Sequence, residues 1–304
     1  MILNCNVIAD GCLPMLFKII LAMLAFAANS VLCRLALVSH NIDSLSFSLI
    51  RVSSGAAVLL LIWLLRKARF KIEWSFKNAL FLASYILAFS YAYMHINAGV
   101  GALLLFGTVQ LTMVLYGVFN GEQLNLKRGL GLFIALTGII VLLLPSATAP
   151  SLFYSLIMVI SGLAWAAYSI AGKVMLSPLS STLANFLLAV PIVLLFSLLL
   201  RQETFMNSTG VGLAIISGGL TSSGAYVLWY SIVKKLDRIA ASTVQLSVPC
   251  LAILGGTFIL GEAVSLRMLV ATVMVLLGII LVIFSTAKKT ESARQAIITN
   301  KTEK

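Results

Sequence analysis

Long apolar runs, separated by short clusters of charge, glycine and proline, occupy the chain from residue 14 to residue 284. Ten such runs can be marked, near residues 14–37, 44–65, 77–95, 98–119, 127–144, 151–172, 181–200, 210–233, 238–260 and 266–284. Most approach the roughly 20 residues that an α-helix needs to cross the hydrocarbon core of a bilayer. They are continuously apolar and lack the alternation of a barrel wall, so the pattern predicts helices and not strands. Every connection is short except the basic one around residues 66–76. The expected fold class is an all-α integral membrane protein with ten transmembrane helices.

Composition sharpens this picture. Of 304 residues, 61% are hydrophobic and 10% charged, against about 25% charged in soluble domains. An ordinary water-soluble protein is excluded, and the short connections leave no room for a large soluble domain. The net charge of +12 would suggest nucleic acid if it were spread over a polar surface. Here the basic residues fall between apolar blocks, which reads as topology and gives no nucleic-acid partner. Seventeen of the 21 Lys and Arg fall on one side of the predicted spans. Arg34, Arg201 and Arg267 fall on the other, and Arg51 lies inside the second helix. Because cytoplasmic loops retain basic residues, both termini are expected in the cytoplasm of a multi-pass protein of the inner (plasma) membrane, in keeping with an even number of spans. Residues 1–13 hold Asp10 and no Lys or Arg, so they read as a short tail before a retained helix, without the basic start of a signal peptide. Residues 285–304 read as a basic cytoplasmic tail. Cys5, Cys12, Cys33 and Cys250 form no CxxC and lie near no pair of histidines, so neither a disulfide framework nor a metal site is implied.

A shift of 139 to 140 residues brings the two halves into register. Gly121-Glu122 then aligns with Gly261-Glu262, Gly138 with Gly278, and Lys127 with Arg267. Ala28-Asn29-Ser30 through Arg34 aligns with Ala167-Tyr168-Ser169 through Lys173. The expected domains are therefore residues 14–144 and 145–284, each a five-helix repeat. Five is odd, so the second repeat enters the membrane from the opposite face. Such inverted repeats build a transporter site at their interface and expose it alternately.

The two five-helix repeats, their Gly-Glu pairs, the Phe47 to Arg51 segment and the stretch from Ala225 through Tyr230 to Pro249 resemble the ten-helix, EamA-like exporters of the drug/metabolite transporter superfamily. The resemblance covers roughly residues 15–285 and implies that the first, third and fourth helices of each repeat surround a central cavity. The family often carries a proline midway along the fourth helix. Pro249 matches it in the ninth, but Val109-Gln110 stand there in the fourth, leaving Gly101 or Gly107 to supply any kink.

Polar groups in hydrocarbon are expensive and should face the bundle interior. Phe26, Asn29, Ser30 and Cys33 share one face of the first helix by their spacing, as do Trp165, Tyr168, Ser169 and Gly172 in the sixth. Tyr226, Trp229 and Tyr230 repeat the pattern in the eighth. With Tyr93, Gln110 and Gln245, these faces give the candidate substrate-binding set: Asn29, Ser30, Tyr93, Gln110, Trp165, Tyr168, Tyr226, Trp229, Tyr230 and Gln245. Helix packing is the competing explanation for the aromatic stripes, and interhelical hydrogen bonding for Asn29 and Gln110. Arg34 and Lys173 occupy matching repeat positions and are candidate gates for an anionic group, or interfacial anchors. Arg51 is a candidate functional charge, or an arginine that snorkels to the interface. Glu122 and Glu262 end their helices, with Lys127, Arg128 and Arg267 close enough in sequence to neutralise them.

No Asp or Glu lies deep in a predicted span, which points to neutral or zwitterionic cargo, and His95 is the one plausible titrating coupler. No nucleotide-binding loop and no catalytic constellation appear, so the chain is expected to be neither an enzyme nor dependent on a cofactor. The resulting expectation is a secondary transporter exporting small metabolites, amino acids or related compounds above all. An importer or exchanger of the same fold and a membrane channel are the alternatives. Its expected partners are the small-molecule substrate and the lipid bilayer, and a homodimer is compatible with the same reading.

Overall fold

In hydrocarbon a backbone amide finds no water, so an apolar segment satisfies its own N–H and C=O groups by coiling. The computed structural model follows that rule throughout. It describes residues 9–65, 71–121, 126–145, 149–172, 177–200, 203–233 and 244–282, with the side chains of 9–14, 230 and 233 left aside. In chain order the helices are α1 (Ala9–Val38), α2 (Ser44–Leu65), α3 (Phe76–Ala92), α4 (Ala98–Phe119), α5 (Leu126–Leu143), α6 (Leu152–Gly172), α7 (Pro178–Leu200), α8 (Ser208–Ile216), a π-helix (Ser217–Gly224), α9 (Ala225–Val233), α10 (Ser247–Leu260) and α11 (Leu266–Val282). Seven membrane-length apolar helices occur among the described residues; α8, the π-helix and the start of α9 together form one of them. Among the described residues the only β pairing is one isolated bridge, between Ile42 and Met206.

Local chemistry sets the helix ends. Asp43 Oδ1 accepts the backbone N–H groups of Leu45 (3.1 Å) and Ser46 (2.8 Å) at the start of α2. Asn207 Oδ1 accepts from Gly210 N (2.9 Å) at the start of α8, the usual service of an N-cap side chain. Gly121 (φ 89°) and Gly261 (φ 68°) adopt left-handed conformations at the ends of α4 and α10. The glycine of each Gly-Glu pair is therefore there to terminate its helix.

Two expected elements differ. The segment expected as one helix over 210–233 is interrupted by eight residues of π-helix, Ser217–Gly224. That run, SGGLTSSG, lacks bulky side chains except Leu220, and Thr221 and Ser223 donate back to the carbonyls of Ser217 (3.1 Å) and Gly219 (2.8 Å), a bonding pattern that bends helices. The ninth segment is broken at Leu246, with α10 beginning at Ser247. Pro249 has no N–H for the carbonyl four residues back and its ring crowds that carbonyl, so the break precedes the proline instead of falling midway along the helix. In contrast, α4 runs unbroken, and Gly101 serves another purpose: a Cβ there would strike the Tyr93 ring.

The two halves interleave. Helices α3 and α4 pack against α6, α2 packs against α7 and the π-helix, and α1 packs against α10. Glycines allow the closest crossings. A Cβ on Gly131 of α5 would meet the backbone of Gly278 in α11, and one on Gly278 would meet Gly131. Gly138 likewise faces Ala271 and Met274. Gly129 and Gly121 have open space where a Cβ would stand, so neither marks a close crossing.

Polarity is arranged inside out. Phe119 and Phe258 are 86% and 83% exposed, along with leucines on nearly every helix, while Asn29, Arg51, Asn185, Ser217, Ser222 and Gln110 are buried. That distribution suits lipid outside and a polar core between the halves.

Candidate functional site

An aromatic centre fills the interface between the halves. Phe26 of α1 lies 6.5 Å from Phe106 (α4), 6.4 Å from Trp165 (α6), 6.0 Å from Tyr226 and 6.1 Å from Trp229 (both α9), measured between ring centroids. Trp165 in turn lies 4.9 Å from Tyr85, 4.7 Å from Tyr226 and 5.5 Å from Tyr168. Five helices thus bring expected site residues Trp165, Tyr168, Tyr226 and Trp229 together. Aromatic pairs at 4.5–7 Å attract one another beyond simple burial.

Beside the rings runs a polar network. Asn29 Oδ1 accepts from Ser217 Oγ (2.7 Å), Ser222 Oγ (3.3 Å) and Thr221 Oγ1 (3.4 Å), tying α1 to the π-helix. Ser222 Oγ also accepts from Arg51 Nε at 3.0 Å. Arg51 is fully buried and does not snorkel. Its Nη2 donates to the Tyr85 hydroxyl (3.1 Å) and the Tyr226 hydroxyl (3.5 Å). Ser30 is buried next to Asn29 in sequence.

Other expected residues lie apart from this centre or join it differently. Gln110, one turn along α4 from Phe106, donates to Gln245 Oε1 at 3.2 Å, a buried bridge between the halves. Tyr168 OH accepts from Asn185 Nδ2 at 3.3 Å. Tyr93 caps the end of α3 and its hydroxyl donates to Ala98 O (3.2 Å), while its buried ring packs on Phe89 at 4.7 Å and so reaches the centre through Phe89 and Tyr85. The Tyr230 side chain and Lys173 lie outside the described residues.

The charged helix ends correct another expectation. Glu262 is neutralised not by Arg267 but by Arg34 from the other half, at 3.0 Å between Nε and Oε1. Arg34 Nη1 also donates to the carbonyls of Tyr93 (2.9 Å) and Met94 (2.8 Å), while Glu262 Oε2 accepts from Ala98 N (2.8 Å). Arg34 is therefore a clasp joining α1, the α3–α4 connection and the end of α10. Arg267 instead donates to Leu144 O. Glu122 lies outside the described residues. His95 stacks on Tyr154 at 3.9 Å. Burial, and then the charge of Arg34, push its imidazole below the usual value.

Sequence patterning missed the hydroxyls of the π-helix and of Tyr85 as partners of Arg51. The signal for the first was present: seven small or polar residues in an eight-residue stretch of an otherwise apolar span.

Residues 13–144 and 152–284 each match the EamA-like transporter family. The chain belongs to that family. This EamA chain is 43% identical over 265 residues to an uncharacterized protein of Pseudomonas aeruginosa, covering 87% of this chain and 92% of the relative. It is 25% identical over 195 residues to an uncharacterized transporter of Archaeoglobus fulgidus, covering 62% and 69%. With the uncharacterized transporter YoaV of Bacillus subtilis it shares 20% identity over 264 residues, covering 82% and 90%. A solved crystal structure superposes with a TM-score of 0.62 at 18% identity, covering 86% of this chain and 97% of the other, a likeness of fold. The family match and these relatives mark the chain as a multi-pass helical transporter of two EamA units.

Proposed function

We propose that this EamA transporter crosses the inner (plasma) membrane ten times, as two five-helix repeats of opposite orientation with both termini in the cytoplasm. It exports small metabolites, amino acids or related compounds, by alternating access. The observation that carries this reading is the aromatic and hydroxyl-rich centre built from α1, α2, α3, α6, the π-helix and α9, walled from lipid by apolar faces. Apolar walls with a few placed polar groups suit a small amphipathic solute once the halves part. The up-and-down path is supported by contacts between helix ends that such a path brings to one face. Arg34 near the end of α1 meets Glu262 after α10, and Asp43 before α2 meets Phe205 before α8.

The same centre favours a carrier over a channel. Arg51, Tyr226 and Trp165 are all buried with the rings in contact, so a solute must wait for the halves to move. Import or exchange by the same carrier follows if the gradients reverse. Flux of the twenty amino acids from proteoliposomes, with and without a pH gradient, tests the reading. Saturable flux of some members is expected, accelerated by substrate on the opposite side and reduced at least about tenfold in Trp229→Ala, whose ring packs on Phe26. Flux no greater than from empty liposomes across the panel would sink the reading, and linear, non-saturating flux would favour a channel.

A further inference from the structure

A guanidinium brings a full charge and five N–H donors, and in a low-dielectric interior both must be answered. Arg51 sits in α2 with no exposed surface. One edge is answered by Ser222 Oγ at Nε (3.0 Å) and by the hydroxyls of Tyr85 (3.1 Å) and Tyr226 (3.5 Å) at Nη2. The ring of Phe89 lies 4.8 Å from Cζ and that of Tyr85 5.4 Å. Nη1, which carries two N–H donors, is buried and has no partner. Every group that holds this arginine is neutral. Among the described residues the one ion pair is Arg34–Glu262, which does not include it. Among the described residues the guanidinium therefore has no counter-charge, and the two donors of Nη1 stand unpaired at the edge of the aromatic centre.

We infer that Arg51 is the anchor for a carboxylate on the cargo, which accepts hydrogen bonds from Nη1 while the apolar body of the solute lies against Trp165 and Phe26. The inference rests on the transporter reading and narrows its substrate class to carboxylate-bearing solutes, amino acids and small organic acids, over neutral ones. Two features favour a singly charged carboxylate over a phosphate group. Among the described residues only one cation stands at the site, and the groups around it are hydroxyls and rings with no second basic side chain among Arg51's contacts. Tyr85 and Tyr226 link the two parts of the site, since the hydroxyls that hold Nη2 belong to rings packed on Trp165. The carboxylate end of an amphipathic solute and its apolar end thus have adjacent receptors, and the orphan donor is satisfied only when the cargo is bound.

The test uses the purified full-length chain and measures binding apart from transport. Thermal unfolding in detergent is followed with L-leucine, L-phenylalanine and 3-phenylpropionate, with the corresponding amides, and with inorganic phosphate. Uptake of the labelled acids into proteoliposomes is measured in parallel. The acids should raise the unfolding temperature at concentrations at least tenfold below those their amides require, and Arg51→Gln should abolish that preference while Arg51→Lys keeps part of it. If Arg51→Gln does not fold, the acid-to-amide ratio of the wild type and the Arg51→Lys response decide the matter. Equal responses to acids and amides, or no response to any acid, would overturn the inference even where flux persists. A stronger response to phosphate than to the acids would overturn the carboxylate assignment. Acid-selective stabilisation without any flux in liposomes would uphold the anchor and sink the transporter reading.

Discussion

At the scale of single residues, the one ion pair among the described residues joins partners far apart in sequence. Arg34 and Glu262 stand 228 positions apart and meet at 3.0 Å with only about a tenth of each side chain exposed. Glu262→Gln leaves the guanidinium without its counter-charge, so a loss of about 1–3 kcal/mol is expected, read as a fall of several degrees in the unfolding midpoint in detergent. Exchanging the two charges should not restore it, because a glutamate at position 34 cannot donate to the carbonyls of Tyr93 and Met94. Full recovery in the swapped variant would show that the pair alone matters. Gly261 gives a cleaner case, since nothing lies within 4 Å of a Cβ there and its φ is 68°. Gly261→Ala should cost about 1 kcal/mol through backbone strain alone, and Gly261→Asn less. Equal midpoints for the alanine variant and wild type would contradict a left-handed cap. His95 has its imidazole held below the usual value by burial and then by Arg34. The folded state then binds its proton less readily than the unfolded state, so His95 costs nothing above about pH 7 and lowers stability as pH falls through 6.5. The unfolding midpoint of His95→Gln should decline less than that of wild type between about pH 7.5 and pH 5.5.

Among the elements, the π-helix determines how closely the halves approach. Gly218 lies so near the Arg51 carbonyl and Ser54 that a Cβ would overlap both. Gly218→Ala must push the π-helix off α2, strain the Arg51–Ser222 contact and reduce flux; overpacking of this kind typically costs about 1–3 kcal/mol. Gly212, one turn before the π-helix in α8, has open space where its Cβ would stand, and Gly212→Ala should leave the midpoint unchanged or raise it. If the two variants behave alike in thermal unfolding, the close crossing is not a constraint. Helix positions were largely legible from the pattern because each run is long and apolar; α2 and α4 fall on the expected residues. The π-helix was not, because its small polar residues are compatible with an ordinary α-helix until Asn29 and Arg51 are placed beside them.

For the whole molecule, the site lies where the halves interdigitate. Asn29, Trp165, Tyr226 and Trp229 were legible as one-faced sets within their own helices, and the fold turns those faces toward one another. Helical spacing reports which residues share a face but not what that face meets, and Tyr93 reaches the centre through Phe89. The sequence by itself determined the solvent and most of the helices, though not the π-helix or the break at Leu246. A chain this apolar belongs in lipid, where a backbone has few ways other than a helix to bond itself. Only the tertiary structure decided which charge answers which and which is left over. Arg51 meets Ser222 across 171 positions, a meeting set by the rotation and depth at which two helices pack. Local periodicity carries no information about either.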